Sequence, residues 1–193
     1  VGFFEIVKII KGFLTAPVPS FREAKEYSVK DSLEYFLGIL VFFAVLSTIT
    51  VSLLPDILVN IPVDPGSTAL EMVFLATVVI LALLLTLFIL AGLLHLFVYL
   101  FGGRERYTET VKVVIFGSTP FMLIGWIPMF GLVIGGLWSI ILFIIGVREL
   151  HGITTMRAIG AGIFFTLVVV IGLFLIAVMI FTMFPLTVTS IYL

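Results

Sequence analysis

Few residues in this chain could do chemistry. His95 and His151 are the only imidazoles, and cysteine is absent, which removes thiolate nucleophiles, disulfides and Cys-ligated metal centres together. His151 follows Arg148 and Glu149 directly in sequence. Two imidazoles with the Glu149 carboxylate could hold a divalent metal, although no HExxH-like spacing supports that set. Beyond such a metal no cofactor is expected. No loop pairs a serine with a histidine, no glycine-rich cradle precedes a helix, and no two aspartates face each other within an apolar run, so no enzyme is expected.

Two further groups invite a functional reading. The first is Ser118-Thr119-Pro120, polar and helix-breaking inside an apolar stretch, which marks a kink and a candidate pocket for a neutral solute. The second is FGGRERYTETVK, residues 101–112, a charged dozen between two apolar runs. Arg104, Arg106, Tyr107 and Glu109 from it, with Arg148, are candidate partner contacts, because Arg and Tyr combine planar donors or rings with apolar area.

These residues must be positioned by helices in lipid. The chain is 62% hydrophobic and 11% charged, with mean hydropathy +1.39, whereas soluble domains carry roughly 25% charged residues. With a formal charge of −1 there is no basic face for nucleic acid. An apolar run needs about 20 residues to cross the hydrocarbon core. Spans are predicted at about 33–54, 70–100, 111–127, 130–147 and 159–184, closed by Pro55, Pro128 and Pro185 where proline interrupts. All ten Lys and Arg fall before the first span, between the second and third, or between the fourth and fifth. Cationic short loops stay cytoplasmic. The fold class expected is therefore all-α and polytopic: five transmembrane helices, N-terminus cytoplasmic, C-terminus external. No Asp, Glu, Lys or Arg is placed near a bilayer midplane by this reading, which argues against ion-coupled transport.

Residues 1–31 form a cytoplasmic juxtamembrane segment and 32–193 the five-span domain. Within the segment, Glu5, Lys8, Lys11 and Gly12 follow helical spacing among apolar residues, predicting an amphipathic helix lying in the membrane interface rather than a cleavable signal peptide. Ala16-Pro17-Val18-Pro19 stops it, and Ser20-x-x-Glu23 and Asp31-x-x-Glu34 read as capping boxes opening the next two helices. Gly131, Gly135 and Ser139, and then Ala158 and Gly162, repeat at four-residue spacing, the pattern for close helix packing within the chain or between copies of it.

The chain resembles the YIP family, the Ypt/Rab-interacting membrane proteins. The resemblance is carried by APVPSFREAKEYS ahead of the first span, the Tyr107-x-Glu109-Thr110 loop after Gly102-Gly103, Thr119-Pro120, Ile127-Pro128 and Leu150-His151-Gly152. It implies five spans with a cytoplasmic N-terminus, and in eukaryotic relatives the binding of prenylated Rab GTPases during vesicle transport. With about thirty residues ahead of the first span and no Asp-Leu-Tyr-Gly-Pro element, the chain is similar to the short prokaryotic members, which implies a prokaryotic cell membrane. The function expected is a non-enzymatic scaffold or adaptor, its partners the bilayer, an unidentified membrane or cytoplasmic protein, and a second copy in a homo-oligomer. The alternative is a permease, or the membrane subunit of a transporter, for a neutral solute.

Overall fold

The computed structural model describes residues 2–53 and 69–189. Pro55 and most of the following loop lie outside them. Every regular element described is a helix: α1 (Phe3–Thr15), α2 (Pro17–Ala24), α3 (Val29–Leu53), α4 (Ala69–Leu100), α5 (Tyr107–Gly117), α6 (Thr119–Ile124), α7 (Phe130–His151) and α8 (Thr155–Thr189). Three stretches among the described residues are long and apolar enough to cross a membrane: Ile80–Leu100, Val133–His151 and Thr155–Met179. Their outward faces are aliphatic and aromatic, with Leu173 and Phe174 62% and 66% exposed. Only lipid makes such exposure inexpensive.

The N-terminal helices follow from local chemistry. Pro17 has no N–H to continue α1 and instead opens α2 at a position where a helix donor is unpaired anyway. Ser20 does not cap α2. It sits inside the helix, and its hydroxyl donates to the Ala16 carbonyl at 2.9 Å. The box that opens α3 is also displaced by one turn. Ser28 Oγ accepts from the Asp31 N–H at 3.1 Å and donates to Asp31 Oδ2 at 2.6 Å, while the Ser28 N–H reaches the same carboxylate at 3.3 Å. A short acidic side chain at the third helical position answers the cap as Glu would. The hydroxyl of Ser28 also holds the Asp31 carboxyl below the usual carboxylate range.

Helix boundaries differ from the sequence reading: α3 begins at Val29 and α8 at Thr155, each four residues before the expected start. Residues 111–127 do not form one helix: α5 ends at Gly117 and α6 begins at Thr119. Pro120 cannot donate, and the break is sealed by side chains. Ser118 Oγ donates to the Ile115 carbonyl at 2.9 Å, and the Phe121 N–H donates to Ser139 Oγ at 3.2 Å. Next, α7 runs one turn past residue 147 to His151, where Gly152 at φ +62° ends it in the left-handed conformation. Finally, α8 passes through Pro185 to Thr189. One lost donor does not end a helix when continuing satisfies the other backbone groups. At the turn into α7, Met129 takes φ 61° and ψ −59°, and the Phe130 N–H donates to the Pro128 carbonyl at 2.7 Å. This is a γ-turn around a residue with a side chain, a strained conformation.

The short helix α5 is the centre of the bundle. It packs against α3, α4 and α7, α8 closes over α4 and α7, and α2 lies on α7. Every residue from Thr110 to Gly117 is buried. Phe116 stacks on Phe13 of α1 at 4.7 Å between ring centroids and meets Tyr35 of α3 at 5.3 Å. Phe13 in turn meets Phe21 of α2 edge-on at 4.8 Å. Such pairs contribute about 0.5–1.5 kcal/mol each beyond their buried area. They tie α1 and α2 to the bundle, with Ile9 and Phe13 facing in and Phe4 and Val7 facing out.

Candidate functional site

Polar side chains collect at one end of the bundle, around the first turns of α5. Lys112 is the buried cation among the described residues, its side chain only 3% exposed. Its ammonium donates to the carbonyls of Ala24 at 3.2 Å, Lys25 at 3.1 Å and Tyr27 at 3.2 Å, and lies 3.0 Å from Glu109 Oε1. The carbonyls at a helix C-terminus have no partners within the helix and carry the negative end of its dipole. Lys112 therefore caps α2 from a different element, and Glu109, one turn earlier on the same face, balances its charge.

Beside it, Thr110 joins the two histidines. Its hydroxyl is 2.7 Å from His95 Nδ1 and 3.0 Å from His151 Nε2. A threonine hydroxyl has one proton, so it donates to one ring and accepts from the other. His151 Nδ1 is buried and has no hydrogen-bond partner among the described residues. A buried N–H without an acceptor is rarer than an unused lone pair. Hydrogen-bond accounting thus assigns the His151 proton to Nε2, which donates to Thr110, while Thr110 donates to His95 Nδ1. A Cβ added to Gly103 would stand 3.4 Å from His151 Nδ1, so the loop after α4 lies over this nitrogen. Tyr107 meets His95 edge-on at 5.6 Å.

The third cluster is ionic. Glu149, 12% exposed, receives Arg22 Nε at 2.8 Å and Arg148 Nη2 at 2.6 Å. It fastens α2 to the end of α7, next to the place where Gly146 leaves room for the Phe21 ring.

The sequence-predicted residues fall into place differently from one another. His95 and His151 come together, but Glu149 turns to its two arginines. No group of three or more His, Cys, Asp or Glu placed to hold a metal ion occurs among the described residues. Of the candidate partner contacts, Arg104 and Arg106 are exposed, the Arg104 guanidinium lying 4.1 Å above the Tyr99 ring. The hydroxyl of Tyr107 donates to the Phe88 carbonyl at 2.8 Å, well down α4. Glu109 and Arg148 are engaged in the ion pairs above. Thr119 is buried, its hydroxyl 2.8 Å from that of Tyr35. Gly131 and Gly135 face α6, where a side chain on Gly131 would collide with the Ile124 carbonyl. Ser139, on the same stripe, accepts the Phe121 N–H. Ala158 is buried, and a Cβ on Gly162 would stand 2.7 Å from Ile144.

Thr110, Arg22 and the buried part played by Lys112 escaped the sequence reading. Lys112 had a usable signal: it is followed at once by Val113-Val114-Ile115-Phe116, and a cation at the edge of an apolar run is costly unless it has partners. Its partners carried none, being backbone carbonyls.

The model of the Yip1 domain family matches residues 11–179. No curated protein and no solved structure matches the chain. The matched region takes in α2, the interrupted α5–α6 pair, the cluster around Lys112 and both histidines. The chain belongs to the Yip1 domain family of membrane proteins.

Proposed function

We propose that this chain is a non-enzymatic integral membrane scaffold whose cytoplasmic end is a prebuilt platform for a partner protein. The observation that carries the reading is the docking of α1 and α2 onto the bundle by the buried Lys112 and the Phe13–Phe21–Phe116 cluster. A segment held this way offers a fixed surface, and a preorganised surface loses less entropy on binding. The surface would comprise Arg104 and Arg106 with the outward residues of α2, whereas Glu109 and Arg148 are taken up by ion pairs and the Tyr107 hydroxyl by the Phe88 carbonyl.

The proposed topology has five crossings, α3, α4, the α5–α6 pair, α7 and α8, with the N-terminus cytoplasmic and the C-terminus external. Its support is the gathering of cations at one end. Arg22 and Arg148 meet on Glu149, Lys112 lies under α2, and Arg157 approaches Gly102. The Met129 turn lies at the other end of α7, about 33 Å away for a helix of that length. The transport reading gains nothing from the broken helix. The Ser118, Thr119 and Trp126 polar groups there are engaged by the Ile115 carbonyl, Tyr35 and the Leu123 carbonyl.

The test uses the absence of cysteine. Single cysteines at Arg106 and Met129 should label from opposite membrane faces, and a photo-crosslinker at Arg106 or Lys25 should capture one recurrent protein in native membranes. Capture of lipid alone at both positions, across replicates, would remove the scaffold reading.

A further inference from the structure

Between α1 and α2 lies a cleft of about 360 Å³, bordered by Glu5, Lys8, Lys11, Glu23 and Tyr27, with Phe13 beneath. That volume falls within the roughly 300–1,000 Å³ of small-ligand sites. Both signs of charge surround it in equal number. Glu5 and Lys8 stand at helical i, i+3 spacing, where ion pairs usually form. Yet among the described residues neither these two nor Lys11 makes an ion pair or side-chain hydrogen bond. Among the described residues the Glu23 carboxylate accepts only the Tyr27 hydroxyl, at 3.1 Å. Alongside the cleft, Phe4, Val7, Lys11 and Leu14 share one stripe of α1, and Phe4, Val7 and Leu14 are 88%, 47% and 36% exposed. A stripe of this kind places apolar side chains at the acyl boundary and its charges among headgroups.

We propose that the α1–α2 cleft binds the headgroup of a zwitterionic phospholipid carrying a primary ammonium, such as phosphatidylethanolamine, with its acyl chains over Phe4, Val7 and Leu14. Lys8 and Lys11 take the phosphate as point-charge donors. Glu5 and Glu23 take the ammonium, whose three N–H groups can each donate to a carboxylate oxygen. A quaternary ammonium has no N–H to offer, and an anionic headgroup without a cation meets the two carboxylates unfavourably. The charge pattern thus selects among lipids that the apolar stripe alone would not distinguish.

The inference rests on α1 lying at a membrane surface, but its test needs neither the five-crossing topology nor a protein partner. The full chain in detergent micelles is mixed with equimolar phosphatidylethanolamine, phosphatidylcholine and phosphatidylglycerol of identical acyl chains, and retained lipid is read by native mass spectrometry. The ethanolamine lipid should be retained about tenfold over each of the others, the scale of one charge-assisted hydrogen bond. Glu5→Gln with Glu23→Gln should bring it down to the choline lipid, and Lys8→Ala with Lys11→Ala should lower all three. The Gln pair keeps an acceptor for Tyr27 and lies on exposed positions, so its melting temperature in detergent should equal that of the parent. Equal retention of the three lipids, a preference for phosphatidylglycerol, or unchanged ratios in the Gln variant would overturn the proposal.

Discussion

Replacing Lys112 by methionine keeps the length and most of the volume of the side chain but removes its charge and three donors. Three carbonyls, those of Ala24, Lys25 and Tyr27, would lose a donor at 3.1–3.2 Å, and Glu109 would lose its cation at 3.0 Å. Hydrogen bonds to a charged group contribute about 1.5–3 kcal/mol each when considered singly, and they are not additive when one ammonium makes them all. Removing one partner of a buried charge cluster costs about 3–5 kcal/mol, and that is the expected loss here. It should appear first at α2, which is held at its C-terminus by this lysine. Hydrogen exchange of the α2 amides in detergent should accelerate by about a hundredfold or more, and trypsin should cut after Lys25 where the parent resists. Glu109→Gln in the Lys112→Met background should recover part of the stability, because no unpaired carboxylate is then left at the site. A Lys112→Met protein within about 1 kcal/mol of the parent, with α2 equally protected, would refute the idea that this cation holds the platform together.

Two other outcomes are expected from the same region. Thr110→Val keeps the shape but strips His95 Nδ1 and His151 Nε2 of their shared partner, at a cost of about 1–3 kcal/mol; nitrogen chemical shifts of the two rings should change together, and rings that titrate and resonate as before would contradict the Thr110 bridge. Burial, with Glu23 adding to it, pushes the Tyr27 phenol up from 10.0 to about 12, so its neutral form is favoured in the fold. Its contribution is complete below the unfolded value near 10 and is lost as the pH rises toward 12; ultraviolet titration should find this late phenol, and Tyr27→Phe should flatten alkaline unfolding across that window.

The legible parts of the fold were those written in apolar length and in proline or glycine. The runs that became α4, α7 and α8 stand out because a helix in lipid must satisfy its own backbone over many consecutive apolar residues. The stop before Pro17 was equally plain. Caps were misplaced because Ser, Glu and Asp recur every few residues in 20–34, and several registers satisfy the same local pattern. Lys112 was read with the charged loop because adjacent Arg and Glu are solvated, and the three-residue step from Glu109 looked like one more surface pair.

The sequence by itself determined that this is a helical membrane protein of the Yip1 type and that its helices break ahead of Pro17 and around Pro128. Only the tertiary structure decided that Lys112 serves the end of a helix 88 residues away, that Thr110 stands between the two histidines, and that Glu149 pairs with Arg22 and Arg148. The physical reason is that these choices rest on backbone carbonyls and single hydroxyls brought within about 3 Å by packing, a distance at which hydrogen bonds form. Neither a carbonyl nor a threonine advertises its partner in composition or spacing.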